Sequence, residues 1–532
     1  MTATDQPISR VLSSFSRTTT VRVNRLALLD LVAEAKRFAD AKSSMPILAT
    51  TLLQVEPEGK LRVVATDRLR TVDGKVKADV ATTTTGSLTD YAAALEESVR
   101  LGLAAEQTIA MPQPAVGIDA KKLHEVVKAL PGDEVEVLFQ EKLALTETDT
   151  FRENKTRVCS VCRKRSVSAA ADGTCIDKPS YAAKAPCGGK LLDTSRDVAH
   201  VVEVSLLSGK SRFNLRGLPG RDFPKLPTVA ASAWHRLDAV VLREVLEKIA
   251  PTISKDTTRS HLNGALLEIG DGLLRGVSTD GHRLAKVDRA VTTTLRTDQG
   301  GQKGFVLPLT GVNELLKFLP ALIGKPKKGA VAAADVEVVL LLSASAATTD
   351  KSHYTTFAWR RPNGDVVYSQ KIESAQFPPY DQVIPRDSEK CAVADRAELI
   401  AALKRMLISA SEKTGGIKVT LRGDEDGGTL QAVALRLSTD SDVGDASEEL
   451  EGVVGTRCYE WSKTKVPNDR GGVDSADRVP FVFGVNGNYL VAALEEMTST
   501  TVWMGFNGEL DPLVLKASAN AADVVVVMPM RL

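Results

Sequence analysis

The chain of 532 residues has little histidine and little cysteine, no long apolar run and almost no net charge. No stretch approaches the twenty or so apolar residues that a membrane-crossing helix needs, and the first residues carry Asp5 and Arg10 among Ser and Thr without an apolar signal core. Neither membrane insertion nor export is indicated, so a cytoplasmic protein is expected. Lys and Arg number 68 against 67 Asp and Glu, which excludes a partner held by a strongly basic global field and makes any basic surface local. Six cysteines in so long a chain do not make a disulfide scaffold, and six histidines leave few candidates for general acid–base chemistry.

What is present is an ordinary globular composition, 43% apolar and 25% charged, in a chain too long for one core. At roughly 100–200 residues per domain, three or four domains are expected. Residues 1–19 read as a disordered polar leader. Thr20–Val23 alternates as a strand, Arg25 to about Asp40 carries apolar residues at helical spacing, and Ile47–Val55 and Leu61–Val64 read as strands. A short amphipathic helix with Leu123, Val126 and Val127 is stopped by Pro131.

This order of parts recurs. A long helix with Leu242, Val245, Leu246 and Ile249 is followed by the strand Ala265–Ile269, then by Val277–Asp280 and a short helix stopped by Pro320. Ala65-Thr66-Asp67 echoes Ser278-Thr279-Asp280. A weaker third copy has a long helix around Leu399–Leu407, strands at Ile417–Leu421 and Leu430–Leu435, and a last helix with Leu490, Val491 and Leu494. Repetition of one supersecondary unit, with two helices and several half-buried strands, gives an α+β fold with helices packed on antiparallel sheets. The expected domains are 20–227, 228–387 and 388–532.

The stretch Ser278-Thr279-Asp280-Gly281-His282-Arg283-Leu284 invites a catalytic reading, since Asp, His and Arg around a Gly could supply a base, an acid and an anion clamp. The echo in the first unit argues that Asp280 is structural. On that comparison Gly281, His282, Arg283 and Leu284 are what the second unit adds.

The chain resembles the bacterial DNA polymerase III beta subunit, the sliding clamp. The resemblance is carried, among others, by Ser44-Met45-Pro46-Ile47-Leu48, Ser211-Arg212-Phe213-Asn214-Leu215, Asp222-Phe223-Pro224, Leu262-Asn263-Gly264, Thr279–Ala285, Phe377-Pro378 with Tyr380, and the terminal Val526–Leu532. It implies a head-to-tail homodimeric ring of six similar domains around duplex DNA, a processivity factor without catalysis of its own. Such a ring is retained by topology and tolerates a neutral net charge.

The resemblance further implies DNA contacts from Lys36, Arg37, Lys42, Lys121, Lys122, Lys404 and Arg405, for each of which a solvated helix face is the competing reading. It implies a dimer interface of Phe213 and Leu215 against Ile408. It implies a groove for peptides of the polymerase, the clamp loader and other partners, formed by Leu262, Thr279, Gly281, His282, Arg283, Leu284, Pro378, Val383, Asn486, Tyr489, Leu510 and Pro512. To these it adds Val526, Val527, Met528, Pro529, Met530, Arg531 and Leu532. The four consecutive Val from Val524 read mainly as a core strand, leaving Met528, Pro529 and Met530 for the groove. Gln382 and Thr414 depart from the family pattern, which points to somewhat different partner peptides.

Between about 146 and 204 the chain departs from the family. Cys159, Cys162, Cys175 and Cys187 form one C-x2-C pair followed by two further cysteines, a spacing that fits a structural zinc site. Residues 151–200 carry ten Lys or Arg against five Asp or Glu, fitting either a DNA or acidic-partner contact or a solubilising lobe. Residues 466–477 read as a surface loop, and Cys391 and Cys458 as isolated thiols. The competing functions are a clamp-like regulatory module and a zinc-containing nuclease or hydrolase using Asp280 and His282.

Overall fold

Strands that end in Asp or Asn and pass directly into helices organise the chain. Helix α1 is Arg25–Ala35, α2 Ala120–Ala129, α3 Ala239–Ile249, α4 Leu309–Ile323, α5 Arg396–Ser409 and α6 Gly487–Glu495. Five of these begin on an Asx side chain that accepts an otherwise unpaired amide of the first turn: Asn24 from Ala27, Asp119 from Lys122, Asp238 from Val240 and Val241, Asp395 from Glu398, and Asn486 from Asn488 and Tyr489. The same start signal at five places is the structural counterpart of the repeat.

The computed structural model describes residues 16–85, 113–147, 157–159, 165–166, 191–193, 196–227, 234–294, 304–323, 339–347, 353–361, 364–373, 375–412, 414–423, 430–442, 444–466 and 473–531, with 229 and 297. These fall in two compact units, Met1–Leu226 with Arg360–Ser369, and Pro227–Trp359 with Gln370–Leu532.

In the first unit an antiparallel sheet runs Ser211–Leu215, Arg196–Ser208, Glu134–Glu147, Ser16–Asn24 and Asp79–Thr85 in that spatial order. A second set orders Gly217–Pro219, Ala115–Asp119, Thr50–Glu56, Lys60–Thr66 and Arg70–Lys77. Helices α1 and α2 pack together, burying Leu28, Val32, Leu123 and Val127 with Leu53, Leu61 and Phe139 of the strands. The expected leader is shorter than 1–19, because Ser16 onward is already paired strand, opposite Thr85. Pro46 opens a short 3-10 turn, Pro46–Ala49, so the strand expected from Ile47 begins at Thr50. The expected insertion is also narrower, because Glu147 pairs with Arg196 and the two strands run as one ribbon to Glu136 and Leu207.

In the second unit one ten-stranded sheet carries residues of the expected second and third domains. Its strands order as Phe305–Pro308, Gly264–Gly270, Leu273–Thr279, Arg283–Ala290, Val524–Val527, Leu513–Lys516, Thr501–Phe506, Lys390–Asp395, Val454–Thr456 and Gln431–Ala432. The two halves join where Arg283–Lys286 pairs with Val527–Val524. A further sheet orders Gly444–Leu450, Ala434–Ser441, Gly416–Arg422, Val473–Asn486 and Tyr459–Val466, with Gly444–Leu450 outermost. The run expected as one strand, Leu430–Leu435, is divided between these two sheets. Residues 473–477, expected in a loop, are strand paired with Tyr459–Val466.

Two prolines expected to stop helices behave differently. Before Pro131, Leu130 is extended, with φ −63° and ψ 136°, as crowding by the proline ring favours, and α2 ends. Pro320 instead lies inside α4, which runs on to Ile323. A proline removes one amide donor but its fixed φ is helical, so a last turn can pass through it.

Candidate functional site

The same polar turn is built twice. In the first unit Thr66 Oγ1 donates to the Arg70 carbonyl at 2.9 Å, and Asp67 Oδ1 accepts the amides of Leu69 and Arg70 at 3.0 and 2.6 Å. The Arg70 guanidinium closes on Asp67 Oδ2 at 2.7 Å. In the second unit Thr279 Oγ1 donates to the Arg283 carbonyl at 2.8 Å, Asp280 Oδ1 accepts the amides of His282 and Arg283 at 2.9 and 3.0 Å, and Arg283 Nε closes on Asp280 Oδ2 at 3.0 Å. Both oxygens of Asp280 are therefore occupied in shaping the turn. The His282 ring lies nearly parallel to Tyr489, 6.0 Å between centroids, rather than against Asp280. No acid–base pair is assembled there, and the catalytic reading of this stretch falls.

Arg283 belongs to the repeated scaffold with Arg70, so what the second unit adds is Gly281, His282 and Leu284. Gly281 occupies a left-handed position, φ +91°, where the first unit strains an arginine, Arg68 at φ +72°. A Cβ at Gly281 would meet only Arg259 Nη1, at 3.9 Å, so the glycine serves the backbone and leaves the space beside it open.

That space leads into an apolar pocket of about 210 Å³. Leu262, Thr279, Gly281, Arg283 and Leu284 form one side, Pro378 and Val383 of the connecting segment the second, and Val526 and Met528 the third. His261 and Tyr380 complete the lining and were absent from the sequence-derived set. Behind the pocket, Leu284, Val306, Tyr380, Val514, Val524 and Val526 form a buried cluster. Beyond the pairing of Val524–Val527 with Arg283–Lys286, Met528 N donates to the His282 carbonyl at 2.8 Å.

Strand alternation sorts the terminal valines. Val526 faces the pocket cluster, whereas Val527 is fully buried in the core around Leu403, Ile417 and Phe506 and does not line the pocket. Leu510, within the Gly508–Asp511 turn, and Pro512, just after it, are also outside the lining. Leu510 is exposed there.

Beside the pocket is a shelf. Tyr489 stacks with His282 and receives the Arg283 guanidinium over its ring at 4.7 Å. Asn486 caps α6 and donates to the Thr414 carbonyl at 2.8 Å. Met530 approaches Gly416, and Pro529 and Met530 pair with Val485 and Gly484. Arg531 is exposed, and Leu532 lies outside the described residues.

Charged networks brace both flanks. Tyr380 donates to Glu268 at 2.8 Å, and burial raises its phenol above the ordinary range. Arg289 and Lys248 both bond to Asp523, at 2.7 Å each. Burial would raise the Asp523 carboxyl, but those hydrogen bonds outweigh it and leave the group below the usual carboxylate range.

Of the candidate DNA-contacting cations, Lys36, Arg37, Lys42, Lys121 and Lys122 are exposed. Lys404 pairs with Glu495 at 2.6 Å, and Arg405 Nε with Glu448 at 2.9 Å. Those two would have to exchange a carboxylate for a phosphate. Phe213 is 37% exposed on the outermost strand Ser211–Leu215, Leu215 is half-buried, and Ile408 on α5 is 80% exposed. Phe213 thus does not point into its own core.

Cys159 ends a three-residue strand, Arg157–Cys159, that pairs with Leu191–Asp193, while Cys162, Cys175 and Cys187 lie outside the described residues. Among the described residues no group of three or more His, Cys, Asp or Glu is placed to hold a metal ion. Cys391 and Cys458 are free thiols, as expected; Cys458 Sγ donates to the Cys391 carbonyl at 3.2 Å, and burial pushes the Cys458 thiol up to about 12. Such a thiol is no nucleophile at neutral pH.

Repeated α+β units closed by a terminal strand, with an apolar groove at that closure, define a protein of the DNA-clamp class. Solved structures of this class share the fold: the Pseudomonas aeruginosa DnaN sliding clamp bound to griselimycin matches 97% of this chain and all of its own at 19% identity and a TM-score of 0.61, and the C. crescentus beta sliding clamp does so at 20% and 0.61. Family models of the DNA polymerase III beta subunit match residues 19–156 (N-terminal domain) and 236–323 (central domain). Curated beta sliding clamps of Pseudomonas putida and Rickettsia bellii are 28% and 26% identical over 61% of this chain, covering 73% and 74% of their own. The chain is thus similar in sequence to the bacterial DNA polymerase III beta subunits, or sliding clamps, and shares their fold. No helix among the described residues is long and apolar enough to cross a membrane.

Proposed function

We propose that two copies of this chain, each folded as three domains with boundaries near 227 and 387, close head to tail into a ring around duplex DNA in the cytoplasm. The ring tethers the replicative polymerase, the clamp loader and repair proteins by short peptides. The observation that carries the tethering role is the apolar pocket between Leu284, Pro378 and Met528, flanked by the shelf of His282, Tyr489 and Met530. A pocket with so few polar walls suits one large apolar anchor, and the methionines adapt to different partners. Exposed Lys36, Arg37, Lys42, Lys121 and Lys122 supply phosphate contacts weak enough to slide. The ring has no catalytic activity of its own: Asp280 is spent on its turn and His282 on Tyr489.

Primer extension on a long circular template tests this reading. With a clamp loader and polymerase, the protein is expected to lengthen the products of single binding events at least about tenfold, and products of unchanged length would contradict it.

The Cys159, Cys162, Cys175 and Cys187 lobe is proposed to bind structural zinc. One zinc per chain in purified protein, lost on Cys159→Ser with Cys162→Ser, is expected by elemental analysis; native protein without zinc would end that proposal.

A further inference from the structure

Residues 375–382, the segment that walls the apolar pocket, have a second hollow on their other side. Its volume is about 380 Å³, and it shares Pro378 and Tyr380 with the first. Leu266 and Val306, both nearly buried, make its floor, and Phe377 flanks it. Glu268, Glu373 and Asp381 line it, and no Lys or Arg does so among the described residues.

The three carboxylates are not equivalent. Glu268 is fixed by the Tyr380 hydroxyl at 2.8 Å, and Arg275 stands 3.6 Å away, with its guanidinium held by Asp288 at 2.7 and 2.9 Å. Glu373 is placed by its backbone, which bonds Val306 O at 3.2 Å, while its side chain has no ion-pair partner among the described residues. Asp381 is exposed at the rim, likewise without an ion-pair partner there. An apolar floor under a carboxylate rim is the arrangement that receives a long cationic side chain, stem on the floor and head at the rim. The Phe377 ring adds a face for the same cation.

We propose that this hollow is a second subsite of the peptide groove and takes a Lys or Arg side chain of the partner peptide whose apolar anchor fills the adjoining pocket. The charge of the rim selects the occupant, and the shared Pro378 and Tyr380 wall places both side chains on one ligand. The inference rests on the groove reading above and adds a specificity determinant to it.

Fluorescence anisotropy with the full-length protein tests it. The probes are labelled synthetic peptides that carry Leu and Phe anchors and one Arg stepped along either flank, each paired with a citrulline twin that keeps the shape and loses the charge. At one position Arg is expected to bind about fivefold tighter than citrulline, the size of a partly screened ion pair. Glu373→Gln with Asp381→Asn should abolish that difference and leave the citrulline twin unchanged; Glu268 is left intact because it anchors Tyr380. Equal affinities of the twins at every position, or an Arg advantage that survives the double substitution, would overturn the subsite alone. Failure of every peptide to bind, or binding indifferent to Met528→Asp, would overturn the groove and the subsite together.

Discussion

Phe213→Asp combined with Leu215→Asp should give a folded monomer. Among the described residues Ser211–Leu215 is the last strand of its sheet, with no strand paired along its outer side, and Phe213 is exposed there. In a free monomer that is an aggregation hazard; across a symmetric interface it is a ready edge for the partner. One outermost strand of the second unit, Gly444–Leu450, carries Asp445, Glu448 and Glu449, whereas Lys210, Arg212 and Arg216 lie on or beside the Phe213 strand. Opposite charges on the two edges favour pairing between them over pairing of like with like. Two carboxylates set into the apolar part of that contact, against Ile408, have no compensating partner and should weaken association by at least about 4 kcal/mol, near a thousandfold. Sedimentation at micromolar protein should show one chain where the unaltered protein shows two, with the circular dichroism of the chain unchanged. A variant that still sediments as a dimer would place the interface elsewhere.

Met528→Asp should separate ring formation from partner binding. Met528 sits at the mouth of the pocket, 36% exposed, and is tied to the turn only through its backbone bond to His282. An aspartate keeps that bond, so folding and dimerisation should be unaffected. The pocket mouth then carries a charge that an apolar anchor cannot solvate, and peptide affinity should fall by roughly a hundredfold, about 2.7 kcal/mol. Isothermal calorimetry with a labelled-free Leu- and Phe-bearing peptide reads this directly. Affinity within a factor of three of the unaltered protein would remove Met528, and with it the C-terminal wall, from the groove.

The helices and most strands were legible because their apolar periodicity is strong and their starts are marked by Asx caps. The Thr-Asp echo was legible too, and its meaning became firm only with the hydrogen bonds, which show one turn built at Thr66 and again at Thr279. They also returned Arg283 to the scaffold, since Arg70 makes the same ion pair.

What could not be read was set by tertiary position. His261 enters the pocket only because it precedes Leu262 at a bend before a strand, and a lone histidine there carries no periodic signal. Tyr380 carries the family resemblance together with Phe377 and Pro378, but its place between two hollows depends on Glu268 and Arg275, more than a hundred residues away in sequence. Leu510 and Pro512 show the reverse case. The resemblance implies a groove role for both, yet neither lines the apolar pocket: Leu510 lies within the Gly508–Asp511 turn and Pro512 follows it. The ion pairs of Lys404 and Arg405 join helix α5 to Glu495 and Glu448, contacts that charge counting along one helix does not reveal.

Retention on DNA of different topology tests the central claim most directly. Protein loaded by a clamp loader onto a nicked circle should co-elute with the DNA through a sizing column at high salt, and should be lost when the same circle is cut once to leave free ends. Retention that is equal on circular and linear DNA, or that high salt abolishes on both, would mean that charge rather than an encircling ring holds the protein, and would contradict the account.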